Sequence, residues 1–598
     1  MIKDLMKNFK VTKYVLMFCP LYAVWSVLYI ISNAAIAVLR VWLIAELGDL
    51  VISLINSGNG LESFNEVVYI IVVYIIVNGI ATVYRRLYMT YIRMYYMQIY
   101  FAKILNKIFG KVQSIDFADF DNPEFYDIYS RAIRESRRGY LAFNNIVSFI
   151  SSIVNIITLG AFIIINDIWL IVIVLVSTII RVIIAAKKNK NQWEFDKNSE
   201  TDRRMYNYVN RTFYQQRFAA EIKTTPISDL LIEKCYDAQD SIDKLCKETI
   251  KKNSVLSVIN SAVSHVFEMG AVYFYLGIKV IKNVISIGSF SSVLDAANQF
   301  SNKFVDMARF INELKNNALY INYFIDFMEY KPTLEEQGKL DLNENFEVLN
   351  INDVTFSYPK TEKNALENVN LTIKRGKKIA IVGLNGAGKT TLIKMLLKFY
   401  NPDNGDIYYN NQTIRDSKEK DVRNKFSIIF QDYRLYAVTI AENVLMRRVK
   451  TEEDERRVWE ALEKVDMIDV VNKYPKGINT LQSRELDEKG ASFSGGEQQR
   501  IALARVFASD ADVYILDEPT SNLDPLAERN INKLIIEKSQ EKTIIIIAHR
   551  LSTVVDADEI ILIENGKIVE KGSHDYLMKT NGKYANMFNT QAALYKRN

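Results

Sequence analysis

Residues 378–392, KIAIVGLNGAGKTTL, run from a β-branched segment through a glycine-rich turn into an apolar helical pattern. Within them, residues 383–390 match GxxxxGK[ST], the pattern of a phosphate-binding loop. Gly383, Gly386 and Gly388, with Asn385 and Ala387 between them, let successive backbone N–H groups close around a polyphosphate. The helix that opens with Lys389, Thr390 and Thr391 turns its positive N-terminus toward the same anion. Lys389 adds a charge and Thr390 offers a hydroxyl to Mg²⁺, so a nucleoside triphosphate is the expected ligand. The alternative is a glycine loop that merely joins strand to helix. The shared register of strand, lysine, hydroxyl and helix argues against it.

With 598 residues the chain is too long for one core, which implies several domains or a membrane part joined to a soluble one. Its apolar residues, 49% of the total, are unevenly spread: long runs precede about residue 325, and alternating strands, helices and charged turns follow about residue 345. Lys+Arg number 75 against 70 Asp+Glu, a net +5, which leaves no basic field large enough for a nucleic-acid partner. Cys19, Cys235 and Cys246 lack metal-ligand spacing and read as reduced structural residues. Lys3, Lys7 and Lys10 precede an apolar run whose residues 35–37, Ala-Ile-Ala, imitate a signal-peptidase site. That run, 14–39, far exceeds the roughly 7–15 residues of a signal-peptide core and reads as a retained span.

Six segments approach the roughly 20 apolar residues that cross a bilayer: 14–40, 66–84, 143–165, 169–187, 255–279 and 288–309. No Lys or Arg lies between Arg40 and Arg85, whereas 85–138 and 187–252 are dense in both, which puts both termini in the cytoplasm of a cell-membrane protein. Lys279 and Lys282, in the outer link between spans five and six, are exceptions. The two basic stretches suggest that spans two to five continue into the cytosol as helices ending in short turns. Candidate turns are 115–132, with Asp121-Asn122-Pro123, and 213–221. A linker at 327–347 then separates a membrane domain, 1–326, from a soluble domain, 348–598.

Downstream, residues 512–524 read DVYILDEPTSNLD, a hydrophobic strand that ends in Asp517 and Glu518. Asp517 can hold the water shell of Mg²⁺, and Glu518 can polarise the water that attacks the γ-phosphorus. Residues 492–500, SFSGGEQQR, place Ser494-Gly495-Gly496 at a second anion-binding helix start. Here the sequence resembles the ATP-binding-cassette (ABC) family, whose signature is written LSGGQ, over essentially all of 348–598. Phe493 and Glu497 depart from it; the first is a mild apolar exchange, and the second adds a charge beside the nucleotide.

The resemblance implies roles for further residues. Tyr358 corresponds to the aromatic that stacks on adenine. Gln431 corresponds to the glutamine that reaches Mg²⁺ and the attacking water. Residues 521–524, with Asn522 where Ala is usual, correspond to the loop that crosses between partners. His549 corresponds to the histidine that senses the γ-phosphate, although a lone histidine after a strand is more often structural. Asn565-Gly566 reads simply as a tight hairpin turn. In this family the phosphate loop of one cassette faces the Ser-Gly-Gly of another, so one cassette makes half of each site. The implied architecture is an α-helical six-span transmembrane domain of exporter type followed by an α/β P-loop ATPase domain. The implied partner is a second copy of the chain, with a heterodimer of related half-transporters as the alternative, and the implied cofactors are ATP and Mg²⁺. The two cytoplasmic turns are expected to couple cassettes to spans, with Phe125 and Tyr126 in the contact.

Spans five and six are unexpectedly polar. Ser257, Asn260, Ser261, Ser264, His265 and Glu268 share one helical face, and Asp295, Asn298, Gln299, Asn302, Lys303 and Asp306 share another. A charge facing lipid costs about 2.5–3.5 kcal/mol, so these faces are expected either to line a watery substrate cavity or to pair among themselves. Counted as a cavity they are acidic, which suggests a cationic or amphipathic cargo such as a peptide. A short likeness of DNPEFYD, 121–127, to bacterial exporters of modified peptides points the same way. A multidrug pump and a lipid flippase are the rival exporters, and a non-transporting ATPase or a gated channel would be a different class.

Overall fold

The computed structural model describes residues 2–57, 64–331, 338, 340–342, 345–359, 361, 363–484, 486–518, 535, 537, 542–548 and 550–596. The chain divides into two compact units, Met1–Ser114 with Pro123–Tyr330, and Ile115–Asn122 with Lys331–Asn598.

The first unit is helical. Its helices are α1 (Ile2–Phe18), α2 (Pro20–Ser57), α3 (Phe64–Leu87) and α4 (Arg93–Gln113). After α5 (Phe117–Phe120), which belongs to the second unit, come α6 (Pro123–Glu135), α7 (Arg138–Asn166), α8 (Ile168–Asn198), α9 (Glu200–Tyr214) and α10 (Ala219–Thr224). The last are α11 (Ile227–Ala262), α12 (Met269–Ile281) and α13 (Ile287–Glu329). Wider π turns at Tyr88–Ile92 and Val263–Glu268 carry α3 into α4 and α11 into α12 without a break. Among the described residues, five continuous helices are long and apolar enough to cross a membrane. The sixth expected span lies in α13, which is 43 residues long and so has the reach. It is not among the five: Asp295, Asn298, Gln299, Asn302 and Lys303 make its first half polar.

Leu159, Ile163, Leu170, Val174, Val272, Leu276 and Phe300 join α7, α8, α12 and α13 in one apolar core, with Val41 of α2. Close approach of α2 to α13 needs glycine: a Cβ on Gly48 would lie 2.5 Å from the Gly288 Cα. At the start of α8, Asp167 accepts from the Trp169 N–H (2.9 Å) and the Tyr275 hydroxyl (2.9 Å) and pairs with Lys279. Lys279 is thus neutralised by the short 166–168 connection, which accounts for one of the two exceptions to the charge distribution.

The second unit holds two sheets. β1 (Val348–Ser357), β2 (Asn364–Lys374), β4 (Asn404–Tyr409) and β5 (Gln412–Thr413) form an antiparallel sheet in the order β2-β1-β4-β5. β3 (Lys378–Val382), β6 (Phe426–Ile429), β7 (Val513–Asp517), β8 (Thr543–Ile547), β9 (Glu559–Glu564) and β10 (Lys567–Gly572) form the other, ordered β10-β9-β3-β8-β7-β6. Its strands β9, β3, β8, β7 and β6 are mutually parallel, and β7 and β8 are buried throughout, as parallel strands covered on both faces must be. Helices α14 (Lys389–Leu396), α15 (Glu419–Asn424), α16 (Ile440–Leu445), α17 (Glu452–Lys464), α18 (Ile468–Asn472) and α19 (Gly495–Phe507) complete the layers. The β9–β10 turn has Asn565 and Gly566 at φ 49° and 78°, the two left-handed residues of a tight hairpin.

The segment Ile115–Asn122 packs within this second unit. Phe117 stacks on Phe399 at 4.4 Å, and Asp121 accepts from the Tyr400 hydroxyl (2.5 Å) and pairs with Lys394 (3.5 Å). Phe125 is buried, with Tyr129, Phe327 and Tyr330 of the first unit around it, and Tyr126 is exposed. The turn signal at Asp121-Asn122-Pro123 falls where the chain passes from the second unit back to the first.

Candidate nucleotide site

β3 delivers the chain to the phosphate loop, and α14 begins at Lys389 immediately after it. Gly388 precedes the helix at φ 108°, and a Cβ there would come within 2.6 Å of the Ala365 carbonyl oxygen, so only glycine fits. The buried Lys389 ammonium donates to the carbonyls of Gly383 (2.9 Å) and Leu384 (3.1 Å), which hold it inside the loop. Burial lowers its pKa, with Glu518 and Asp517 opposing the shift. A cavity of about 420 Å³ opens here, lined by the loop from Asn385 to Thr391 together with Tyr358, Gln431 and Glu518.

Asp517 ends β7 and is buried; its carboxylate lies 3.5 Å from the Thr390 hydroxyl. Burial, followed by the charge of Glu518, pushes its pKa up to about 6, against the pull of Lys389 and Thr390. Glu518 adopts φ 49°, a conformation unusual outside glycine, and its N–H donates to the Ile547 carbonyl (3.1 Å). Backbone strain of this kind concentrates at functional sites. Its carboxylate accepts from Gln431 Nε2 at 2.8 Å. A buried carboxylate facing the exposed Thr390 hydroxyl, beside an ammonium and a ring of loop N–H groups, suits a polyphosphate with a divalent cation. Tyr358 stands at the edge of the cavity, its hydroxyl 3.1 Å from Thr391 Oγ1 and its ring edge-on to Phe356.

Ser494 caps α19. Gly495 and Gly496 form its first turn, and Glu497 closes a capping box by accepting from the Ser494 N–H (2.8 Å) and hydroxyl (3.0 Å). The departure at 497 therefore sets a carboxylate directly on the serine of the second anion-binding start. Phe493 is buried edge-on against Tyr474, an apolar role that leucine would also fill. His549 and residues 521–524 lie outside the described residues.

On the polar faces of the membrane unit two acids are matched by cations from other helices and a third by a cation on its own helix. Arg181 of α8 reaches Glu268 (3.3 Å), Ser301 (2.6 Å) and Asn302 (2.8 Å), and all the charged atoms of this cluster are buried. Asp295 pairs with Arg40 (3.0 Å) and accepts from Gln299 (2.6 Å), and Asp306 pairs with Arg309 (3.1 Å). Asn302 donates to Asn298 (3.1 Å), and His265 contacts only its own helix, at the Ser261 carbonyl (3.1 Å). Lys303 has no ion pair among the described residues. The count of Glu268, Asp295 and Asp306 against Lys303 thus left out three arginines: Glu268 faces a buried guanidinium, and each of the other two acids already holds an arginine, which is the pairing alternative. Arg181 was legible as a cation in the middle of the apolar run 169–187, which Lys187 ends.

Two outcomes follow. Because the Asp517 pKa is raised above its ordinary 3.8, its ionised form destabilises the folded cassette above about pH 6, and that cost vanishes as pH falls below the ordinary carboxylate range. In chelator without nucleotide, D517N should stabilise the protein at pH 7, by up to about 3 kcal/mol, and the gain should shrink toward pH 4 in thermal unfolding scans. For the membrane unit, R181A and E268A should each cost about 3–5 kcal/mol by stranding a buried charge, and R181M/E268L should cost less than either. Additive losses in the same scans would show that the two are uncoupled.

Comparison with known proteins places these features in a family. Residues 366–521 match the ABC transporter domain model. The chain is 28% identical over 490 residues to the subtilin transport ATP-binding protein SpaT of Bacillus subtilis, covering 81% of this chain and 79% of that protein. It is 33% identical over 350 residues to the ATP-dependent lipid A-core flippase of Vibrio parahaemolyticus, and 35% over 320 residues to that of Salmonella typhimurium. Those matches span 58% and 54% of the two flippases, little more than half their length. In three dimensions the chain aligns with a bacterial Atm1-family ABC exporter with ATP bound, at a TM-score of 0.74 and 20% identity, over 96% of this chain and 98% of that one. Residues 366–521 thus carry an ABC transporter domain, and the fold of the whole chain is that seen in a bacterial ABC exporter.

Proposed function

We propose that the chain is an ATP-driven exporter that works as a dimer with two composite nucleotide sites, its termini and cassettes on the cytoplasmic side. The observation that carries this reading is the convergence of Lys389, Thr390, Gln431, Asp517 and Glu518 on one loop in a chain whose other unit has, among the described residues, five membrane-length helices. Lys389 and the loop N–H groups grip the β- and γ-phosphates of ATP, and Tyr358 offers its ring to the base. Thr390, Asp517 and Gln431 would hold Mg²⁺, which when bound neutralises charge on the phosphate oxygens. Glu518, aimed by Gln431, takes the proton of the attacking water. Ser494 of a second copy closes the site. A homodimer is favoured because Lys389, Glu518 and Ser494 all occur in this one chain.

Among cargo classes we favour an amphipathic peptide. The SpaT alignment, at 490 residues, is too long to be confined to the cassette, and the flippase alignments are shorter. The positive charge once expected of that cargo is dropped, since its basis was the unpaired acids.

The decisive experiment is ATP turnover and vesicle uptake by the purified chain alone. Both activities are expected, and E518Q should lower turnover about 10²- to 10⁴-fold and stop uptake. Turnover that needs a second, different chain would overturn the homodimer, and uptake that persists in E518Q would point to a channel. F117A, which removes the stack on Phe399, should leave ATP hydrolysis in place while uptake falls; equal loss of both would count against a coupling role for residues 115–122. Finally, E497Q keeps the capping box but removes a negative charge from the α19 N-terminus. A charge there is worth about 0.3–1 kcal/mol, so KM for ATP should drop roughly 2- to 5-fold, and an unchanged KM would refute the effect.

A further inference from the structure

Where the apolar run of α8 ends in Lys187, Lys188 and Lys190, α8 lies against α11 and the two helices enclose a cavity of about 210 Å³. Its polar lining comes from Lys188 and Gln192 on one helix and Thr249, Asn253, Ser254 and Ser257 on the other. No carboxylate belongs to the lining among the described residues. Lys188 Nζ donates to Ser257 Oγ at 2.9 Å, a neutral partner that leaves its charge unmatched. Asn191 donates to Asn253 Oδ1 at 2.9 Å, which uses the acceptor end of that amide and leaves its N–H groups as donors to the cavity.

The surroundings are mostly basic; Asp196, which accepts from Gln192 (3.3 Å), pairs with Arg203 (3.5 Å). Lys190 is paired with Glu194 at 3.8 Å, but Lys187, Lys188, Lys251 and Lys252 have no ion pair among the described residues. By contrast Arg181, seven residues earlier on α8 and so about two turns away, is already opposed by Glu268. Lys188 is therefore the cation of this crevice available to a ligand. The remaining walls, Phe195 and the exposed Ile250, are apolar. A fixed ammonium, several neutral donors, an apolar wall and a position at the end of a membrane-length run together fit one ligand chemistry.

We propose that this cavity binds the phosphate-ester headgroup of an anionic lipid at the membrane boundary of α8 and α11. The proposal rests on the reading that these helices cross a bilayer, and it is independent of ATP hydrolysis and of the cargo. The phosphate oxygens accept from Lys188, Asn253 and the serine hydroxyls, and the glycerol portion lies along Phe195 and Ile250. Lys187, Lys251 and Lys252 raise the local concentration of anionic lipid without touching it.

Cys246 lines the same cavity and supplies the readout, while Cys235, about three turns earlier on α11, serves as internal control. The full chain is placed in phosphatidylcholine nanodiscs containing increasing phosphatidylglycerol, and maleimide modification of each cysteine is followed by peptide mass spectrometry. At a tenfold excess of site-accessible lipid over its dissociation constant, modification of Cys246 should slow about tenfold while Cys235 is unchanged. K188Q should abolish the protection and K188R should retain it, with an unaltered Cys235 rate showing that each variant keeps its fold. Inorganic phosphate in pure phosphatidylcholine discs is the second arm. No protection by phosphate alone supports the lipid headgroup as ligand; equal protection by phosphate overturns the lipid assignment in favour of a free anion. Absence of protection in both arms, or protection that survives K188Q, overturns the site itself. Since no step uses nucleotide, failure here leaves the exporter reading standing, and a chain without ATP turnover could still show the protection.

Discussion

A charge removed from water must be matched, because an ion buried alone costs several kcal/mol even after the surroundings relax. Both units are organised around that requirement. In the cassette, the buried ammonium of Lys389 and the buried carboxylate of Asp517 are brought together by β3 and β7, two strands of one parallel sheet. The match is deliberately incomplete: Asp517 stays raised to about 6 because Glu518 crowds it and Lys389 compensates only in part. A site tuned this way is short of positive charge, which a divalent cation would supply on arrival. In the helical unit the match is closer, and Arg181 with Glu268, Arg40 with Asp295 and Lys279 with Asp167 each tie two helices together.

The same requirement separates what was legible in the sequence from what was not. The phosphate loop could be read because its chemistry is local: glycines, lysine and threonine occupy consecutive positions, and the backbone alone shapes the cradle. The hairpin at Asn565-Gly566 was legible for the same reason, since the turn geometry depends only on its own two residues. Period and length likewise revealed the long helices. The polar faces of spans five and six were found at the correct helical spacing, but their partners were not, because Arg181 and Arg40 lie 87 and 255 residues away from the acids they neutralise. Helical periodicity says which residues share a face and nothing about what another helix brings to it. Reading the faces without their partners produced an acidic cavity where the folded chain has ion pairs.

The docked segment shows a second limit. An aromatic-rich stretch after a basic helix was visible, yet either Phe117 or Phe125 could have faced the cassette. Only packing shows that Phe117, past the end of α4, stacks on Phe399, while Phe125 lies among Tyr129, Phe327 and Tyr330. The Asn-Pro pair at 122–123 matters because it ends the docked segment and starts α6, so that a break in chain direction falls between the two aromatic residues.

How the nucleotide site can act on that segment follows from Lys394. It lies on α14, five residues beyond Lys389, pairs with Asp121 at 3.5 Å and stands over the rings of Phe117, Tyr358 and Tyr400. Such an ion pair, with one partner half exposed, is worth at most about 1 kcal/mol, whereas an aromatic stack adds about 0.5–1.5 kcal/mol beyond the apolar area it buries. The Phe117–Phe399 stack therefore supplies the grip and the charge sets the register. α14 spans Lys389–Leu396, about 12 Å, with no glycine or proline inside it to act as a hinge. A phosphate drawn against its N-terminus and a segment held along its side are thus fastened to one rigid rod, so neither can shift far without moving the other. The coupling needs no relay of rearranging side chains, because the helix that receives the phosphate is the helix that carries the segment.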